Sequence, residues 1–205
     1  MLFFMLPPLY AIIDAAFFQD TAALLAFAGE LRAAGVTLFQ YRNKSSSPRR
    51  MLGDARELRR KLQNVTLIMN DRADLCLAAD FDGVHVGQDD LSVEAVRRVI
   101  GEKLWIGVST HIPEQVEAAA ASSATYVAVG PVFATASKSN PDPVIGLEGV
   151  RTARRLTRKP LVAIGGITRD NCGSVREAGA DAVAVISDLL VSPGKSAEEF
   201  LRRLG

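Results

Sequence analysis

The sequence predicts a single (β/α)8 barrel, and three observations carry that prediction. Short β-rich apolar runs alternate eight times with longer stretches whose apolar residues recur every three or four positions, the pattern of strands each followed by a helix. The strand segments, such as LVAIG and AVAVI, are almost continuously apolar, as strands covered on both faces must be, and parallel neighbours need helical crossovers. Eight such units of about 25 residues fill residues 1–205 as one TIM-barrel domain and leave no length for a second. A doubly wound open sheet is the runner-up topology.

The elements follow in order. Strands are expected at Leu9–Asp14, Thr37–Arg42, Thr66–Asn70, Gly83–Gly87, Trp105–Ser109, Tyr126–Pro131, Leu161–Gly165 and Ala182–Ser187. Helices are expected at about Thr21–Ala34, Ser47–Gln63, Arg72–Ala79, Ser92–Ile100, Pro113–Ser122, Gly146–Leu156, Thr168–Ala178 and Ser196–Leu204. A weak internal echo agrees: AAGVTLFQY, EAGADAVAV and SSATYVAVG each close a helix and enter a strand, the first two with Gly where helices commonly end.

Composition narrows the function classes. At 48% hydrophobic and 23% charged the chain has the makeup of a soluble globular protein with a sizeable core. Lys and Arg number 24 against 23 Asp and Glu, so a net charge of +1 offers no general field for nucleic acid or an anionic membrane. Any bound anion must be held by a local cluster. Cys76 and Cys172 have neither CxxC spacing nor nearby histidines, which argues against a disulfide scaffold or a zinc site and for a cytoplasmic setting. The apolar MLFFML stops at Pro7-Pro8 without a basic leader, and no apolar run approaches the ~20 residues of a membrane span.

In a barrel the carboxyl ends of all strands open on one face, so site residues far apart in sequence meet there. The second strand ends in Gln40-Tyr41-Arg42-Asn43-Lys44, the third in Asn70-Asp71 and the fourth in His85-Val86-Gly87-Gln88-Asp89-Asp90. The fifth ends in Ser109-Thr110-His111, the sixth runs into Thr135-Ala136-Ser137-Lys138, the seventh gives Gly165-Gly166 and the eighth Ile186-Ser187. Only the first strand brings no such chemistry. Taken singly, Lys44 and Lys138 read as solvated loop residues, Asp71 as a helix cap and the glycine pair as a tight turn. As a set, two carboxylates can share a magnesium ion while Arg42, Lys44 and Lys138 neutralise a diphosphate. The loops after strands seven and eight are a frequent phosphate site in barrels. His85 reads equally as a core histidine or a substrate contact, and His111 as a general base or an exposed residue ahead of Pro113.

These segments in this order (QYRNK, MND, GVHVGQDD, GVSTH, GPVFATASK, AIGGIT and VIS) resemble the thiamine phosphate synthase family along essentially the whole chain. The resemblance implies coupling of a pyrimidine-methyl diphosphate to a thiazole phosphate, with release of pyrophosphate and magnesium as the cofactor. It implies Asp71 and Asp90 as metal ligands, with Arg42, Lys44, Ser109 and Lys138 carrying catalysis. Gln40, Tyr41, Asn43, Asn70 and His85 are implied on the pyrimidine side, and Thr135, Ala136, Ser137, Gly165, Gly166, Ile186 and Ser187 on the thiazole side. TASK departs from the commoner family form by a smaller side chain, which bears on selection between plain and carboxylated thiazoles. The partners expected are these small molecules, with neither nucleic acid nor membrane; oligomeric state is left open. A thiazole tautomerase-like isomerase, working through a base such as His111, and a non-catalytic phosphate-metabolite sensor are the rival readings.

Overall fold

A computed structural model describes residues 6–135 and 142–205. Eight parallel strands close into a barrel in sequence order: β1 (Leu9–Asp14), β2 (Leu38–Arg42), β3 (Thr66–Asn70), β4 (Gly83–Val86), β5 (Trp105–Thr110), β6 (Tyr126–Val129), β7 (Leu161–Ile164) and β8 (Ala182–Val185). The seam closes through Leu9↔Val183, Tyr10↔Ala184 and Ala11↔Val185. The open-sheet alternative is thereby excluded. The helices are α1 (Thr21–Ala33), α2 (Pro48–Lys61), α3 (Ala73–Ala78), α4 (Val93–Ile100), α5 (Pro113–Ala121), α6 (Gly146–Leu156), α7 (Cys172–Glu177) and α8 (Pro193–Leu204). None of the helices among the described residues is long and apolar enough to cross a membrane.

Strand alternation divides the core in two. Leu9, Ala11, Ile13, Phe39, Tyr41 and Met69 belong to the layer packed under the helices, while Tyr10, Ile12, Leu38, Ile68 and Tyr126 fill the barrel itself. Both sets are almost wholly buried, which explains why the strands read as unbroken apolar runs. Each large aliphatic or aromatic side chain so buried stabilises the fold by about 2 kcal/mol.

Helix starts follow local chemistry. Asp20, Ser47 and Ser92 accept hydrogen bonds from Ala23, Arg50 and Ala95 backbone N–H groups, capping α1, α2 and α4. Two helix starts differ from expectation by more than one residue, each for an identifiable reason. Helix α8 begins three residues early because Pro193 sits in its first turn, where a missing N–H costs nothing. Helix α7 begins four residues late because Asn171 draws the Thr168 N–H to its Oδ1 at 2.8 Å, holding 168–171 as a turn.

Candidate active site

One edge of the mouth is charged. Asp14 ends β1 and is 3% exposed; its Oδ1 accepts from the Ala16 N–H at 3.1 Å and its Oδ2 pairs with the Arg42 guanidinium. Sequence reasoning missed it by treating the first strand as empty, although an Asp closing the apolar run LYAII was the available signal. Next along the rim, Lys44 Nζ lies 3.1 Å from Asp71 Oδ2. Asp71 takes φ +60°, a left-handed backbone that non-glycine residues adopt at a cost, while its N–H donates to the His85 carbonyl at 2.8 Å. That kink brings its carboxyl within hydrogen-bonding reach of Asp90, whose Oδ2 accepts from the Gly87 N–H at 2.8 Å. Burial pushes the Asp71 carboxyl above the ordinary range; Lys44 opposes the rise and the neighbouring Asp90 adds to it.

The floor is neutral. Gln40 Nε2 donates to the Tyr10 hydroxyl at 2.9 Å, and Tyr10 and Tyr126 hydroxyls meet at 2.9 Å. His85 holds Tyr126 OH at 3.0 Å with Nδ1 and Ser109 Oγ at 2.9 Å with Nε2. Asn70, 8% exposed, lines the same cavity. Counted out to open solvent this space is about 1040 Å³.

The opposite edge is bare backbone. Gly165 and Gly166 have φ of +102° and +62°, and a Cβ on them would stand 2.5 Å from Pro131 Cβ and 2.4 Å from the Ala134 carbonyl oxygen. Only glycine fits both the space and the dihedral. Asn171 Nδ2 donates to the Gly166 carbonyl at 3.0 Å and steadies the turn. Thr135, Ile186 and Ser187 line the cavity beside it.

The family model for thiamine monophosphate synthase matches residues 9–189, nearly the whole barrel. The chain belongs to that family. It is 60% identical over 203 residues to a thiamine-phosphate synthase of Koribacter versatilis, covering 97% of this chain and 96% of that one. It is 47% identical over 160 residues to one from Chloroflexus aurantiacus, covering 77% and 74%. Among solved structures, a thiamine phosphate pyrophosphorylase from Pyrococcus furiosus superposes with a TM-score of 0.85 at 32% identity, covering 96% of this chain and 95% of that one. The resemblance read from the seven motifs is thus borne out.

Within this thiamine monophosphate synthase family member, two expected contacts lie elsewhere. Tyr41 points outward from β2, and its hydroxyl donates to Asp54 Oδ2 at 2.9 Å and accepts from Asn43 Nδ2 at 3.0 Å. Asn43 Oδ1 in turn accepts from the Ser45 and Ser46 N–H groups at 3.2 and 3.1 Å. Alternation decides this: Gln40 and Arg42 share the cavity face, so Tyr41 between them cannot. The pair instead shapes the loop that carries Lys44. Ala136, Ser137 and Lys138 fall outside the described residues. His111 lines the mouth with Nδ1 2.6 Å from the Gly130 carbonyl and Nε2 3.4 Å from Asp142 Oδ2, bridging the loops after β5 and β6. Cys76 and Cys172 are buried and unpaired with each other, and burial pushes the Cys76 thiol up to about 12.

Proposed function

We propose that this protein couples 4-amino-2-methyl-5-(diphosphomethyl)pyrimidine to a thiazole phosphate, giving thiamine phosphate and pyrophosphate, with CO2 lost as well where the thiazole is carboxylated. One observation carries the reading: a single mouth opposes a charged edge to a glycine edge across a neutral floor, so it has two separate places for anionic groups. The diphosphate belongs on the charged edge, where Arg42 and Lys44 counter it, with Lys138 the further cation the sequence supplies. The thiazole phosphate belongs on the Gly165, Gly166 and Ser187 edge, where backbone N–H groups can approach closely. Gln40, Asn70 and His85 would read the polar edge of the pyrimidine between them, with Thr135, Ser137 and Ile186 on the thiazole.

The residues fit a magnesium ion. Burial raises the Asp71 pKa and the neighbouring Asp90 carboxyl adds to it, an unfavourable placing of negative charge that a hard divalent cation would relieve. Among the described residues no cluster of three or more acidic, His or Cys ligands exists. Two protein oxygens with the balance from diphosphate and water is the coordination magnesium commonly takes. When bound, the ion would neutralise charge on the departing diphosphate.

The bond changes need no protein nucleophile and no base. The methylene carbon loses its bond to the diphosphate oxygen, which departs with the electron pair, before the thiazole nitrogen brings its lone pair to that carbon; with the plain thiazole the ring becomes a thiazolium and no proton moves, and with the carboxylated one the ring then releases CO2 and its carbon takes up a proton from water. The chain's work is therefore placement, charge stabilisation at the leaving oxygen by Arg42 and Lys44, and exclusion of water from the short-lived pyrimidine-methyl cation. Incubating the purified protein with both substrates, with and without magnesium, tests this. Magnesium-dependent pyrophosphate release with thiamine phosphate is expected; isomerisation of the thiazole alone, or binding without turnover, would replace the reading.

A further inference from the structure

The hydrogen bonds on the barrel floor run in single file through five strands: Gln40 on β2, Tyr10 on β1, Tyr126 on β6, His85 on β4 and Ser109 on β5, each link 2.9 or 3.0 Å. Gly107 makes the file continuous. It lies in register between His85 and Tyr126, and a Cβ there would stand 2.1 Å from Tyr126 Cζ and 2.5 Å from His85 Nδ1. With bare backbone at that point the two rings stack at 5.7 Å, 26° from parallel.

The protons of the file can be counted. Burial pushes both phenols well above their ordinary range, so Tyr10 and Tyr126 each keep one O–H at neutral pH. A neutral imidazole carries one N–H, and a serine one O–H. Each link uses one proton, and a phenol O–H left without an acceptor in the buried floor would cost ~1–3 kcal/mol, so two polarities remain. Either Gln40 donates at one end and the Ser109 proton is left over at the other, or Ser109 donates to His85 and Tyr10 is left needing an acceptor at Gln40. Gln40 presents its Nε2 to Tyr10, a donor, and that selects the first polarity.

We propose that Tyr10 and Tyr126 are positioning residues: they hold His85 as the neutral Nε2–H tautomer, which fills one lone pair of Ser109 Oγ and turns its proton into the cavity as a dedicated donor to an anionic oxygen. The anionic oxygen meant is one of the diphosphate, a part that rests on the coupling reading above; the tautomer does not. A serine poised this way strengthens its hydrogen bond as charge collects on the leaving group, so the file acts on the rate of bond cleavage more than on thiazole binding.

The test is nitrogen-15 NMR of the full chain, which has two histidines, with His111→Gln identifying the His85 signals. The expected result is a protonated Nε2 and an unprotonated Nδ1 on His85 at neutral pH. In Tyr126→Phe the pattern becomes a tautomer mixture, kcat falls about tenfold, and KM for the thiazole phosphate stays within about twofold. Tyr10→Phe breaks the file one link earlier and serves if Tyr126→Phe does not fold. An Nδ1–H tautomer in the unmodified protein overturns the proposal, as does either variant with an unchanged His85 pattern and unchanged kcat. Should no coupling occur while His85 is Nε2–H, the coupling reading falls and the tautomer assignment stands.

Discussion

Replacing Asp14 by Ala should uncouple Arg42 from the wall that holds it. Asp14 is 3% exposed and Arg42 22%, so the pair is sheltered but open on the cavity side. Stripping the partner from a buried charge typically costs ~3–5 kcal/mol; Arg42 can recover part of its hydration from the cavity, which lowers this to about 2. The lost cap to the Ala16 N–H adds ~1. A total of about 3 kcal/mol follows, read by urea denaturation. Arg42→Met leaves the Asp14 carboxylate as the unpaired buried charge, so in that background Asp14→Ala loses the cap but relieves that charge and should cost no more than ~1 kcal/mol, leaving a coupling of at least about 2. Coupling below ~0.5 kcal/mol would refute the idea that Asp14 acts through Arg42. In the single variant KM for the pyrimidine diphosphate should also rise, because a cation without its brace spends less time in the binding geometry.

Asp71→Ala or Asp90→Ala should lower kcat by at least about a hundredfold, against a mainly KM effect on the thiazole phosphate for Ser187→Ala; steady-state kinetics separate the two patterns. Gly166→Ala meets both a positive φ and the Ala134 oxygen, so thiazole phosphate binding measured by calorimetry should be lost. Tyr41→Phe should keep kcat within a few-fold while costing ~1–2 kcal/mol in denaturant, since its hydroxyl serves Asp54 rather than substrate. The Asp71 pKa is raised on folding, so its ionisation opposes the native state above that pKa and the penalty vanishes below the ordinary carboxylate range. Asp71→Asn should therefore be the more stable protein at neutral pH without metal, and thermal melts should show the gap closing as pH falls toward ~4.

The barrel was legible because its signal is repeated: an apolar strand and an amphipathic helix recur eight times, and an error in one unit is corrected by the rest. The rim was legible for a related reason. Arg42, Asp71 and Gly165 each close a mostly apolar run, where polarity or glycine has few structural uses, and Asp90 comes four residues after the run that ends at Val86. What escaped lies inside the strands. Tyr10 and Tyr126 look like ordinary core aromatics in LYAII and YVAV, and Gly107 like a weak strand residue; that their polar ends meet across the barrel depends on register, which one-dimensional pattern does not carry. Tyr41 is the converse case, since adjacency to Gln40 and Arg42 in sequence means the opposite face in a strand. Asp14 carries no local signal of its role because its partner Arg42 is 28 residues away.

Closure of the barrel is itself what makes a two-anion site. Asp14 and Arg42 stand at the ends of β1 and β2, while Ile186 and Ser187 follow β8. In an open sheet of this strand order the first and last strands would lie about 34 Å apart, seven spacings of roughly 4.8 Å. No ligand of ordinary size could touch both. Pairing Ala11 with Val185 makes them neighbours and brings Ser187 round beside Asp14 and Arg42 on the rim of one cavity. In the closed ring β7, with Gly165 and Gly166 after it, stands four strands from β3 and Asp71 by either path, so the glycine edge and the charged edge face each other over a floor only one barrel wide. Two anions that would repel in free solution can each be neutralised at their own edge while their reacting ends meet over uncharged groups. The seam hydrogen bonds between β1 and β8, which begin with the Val183 N–H donating to the Pro8 carbonyl at 2.9 Å, thus hold the chemistry together as well as the fold.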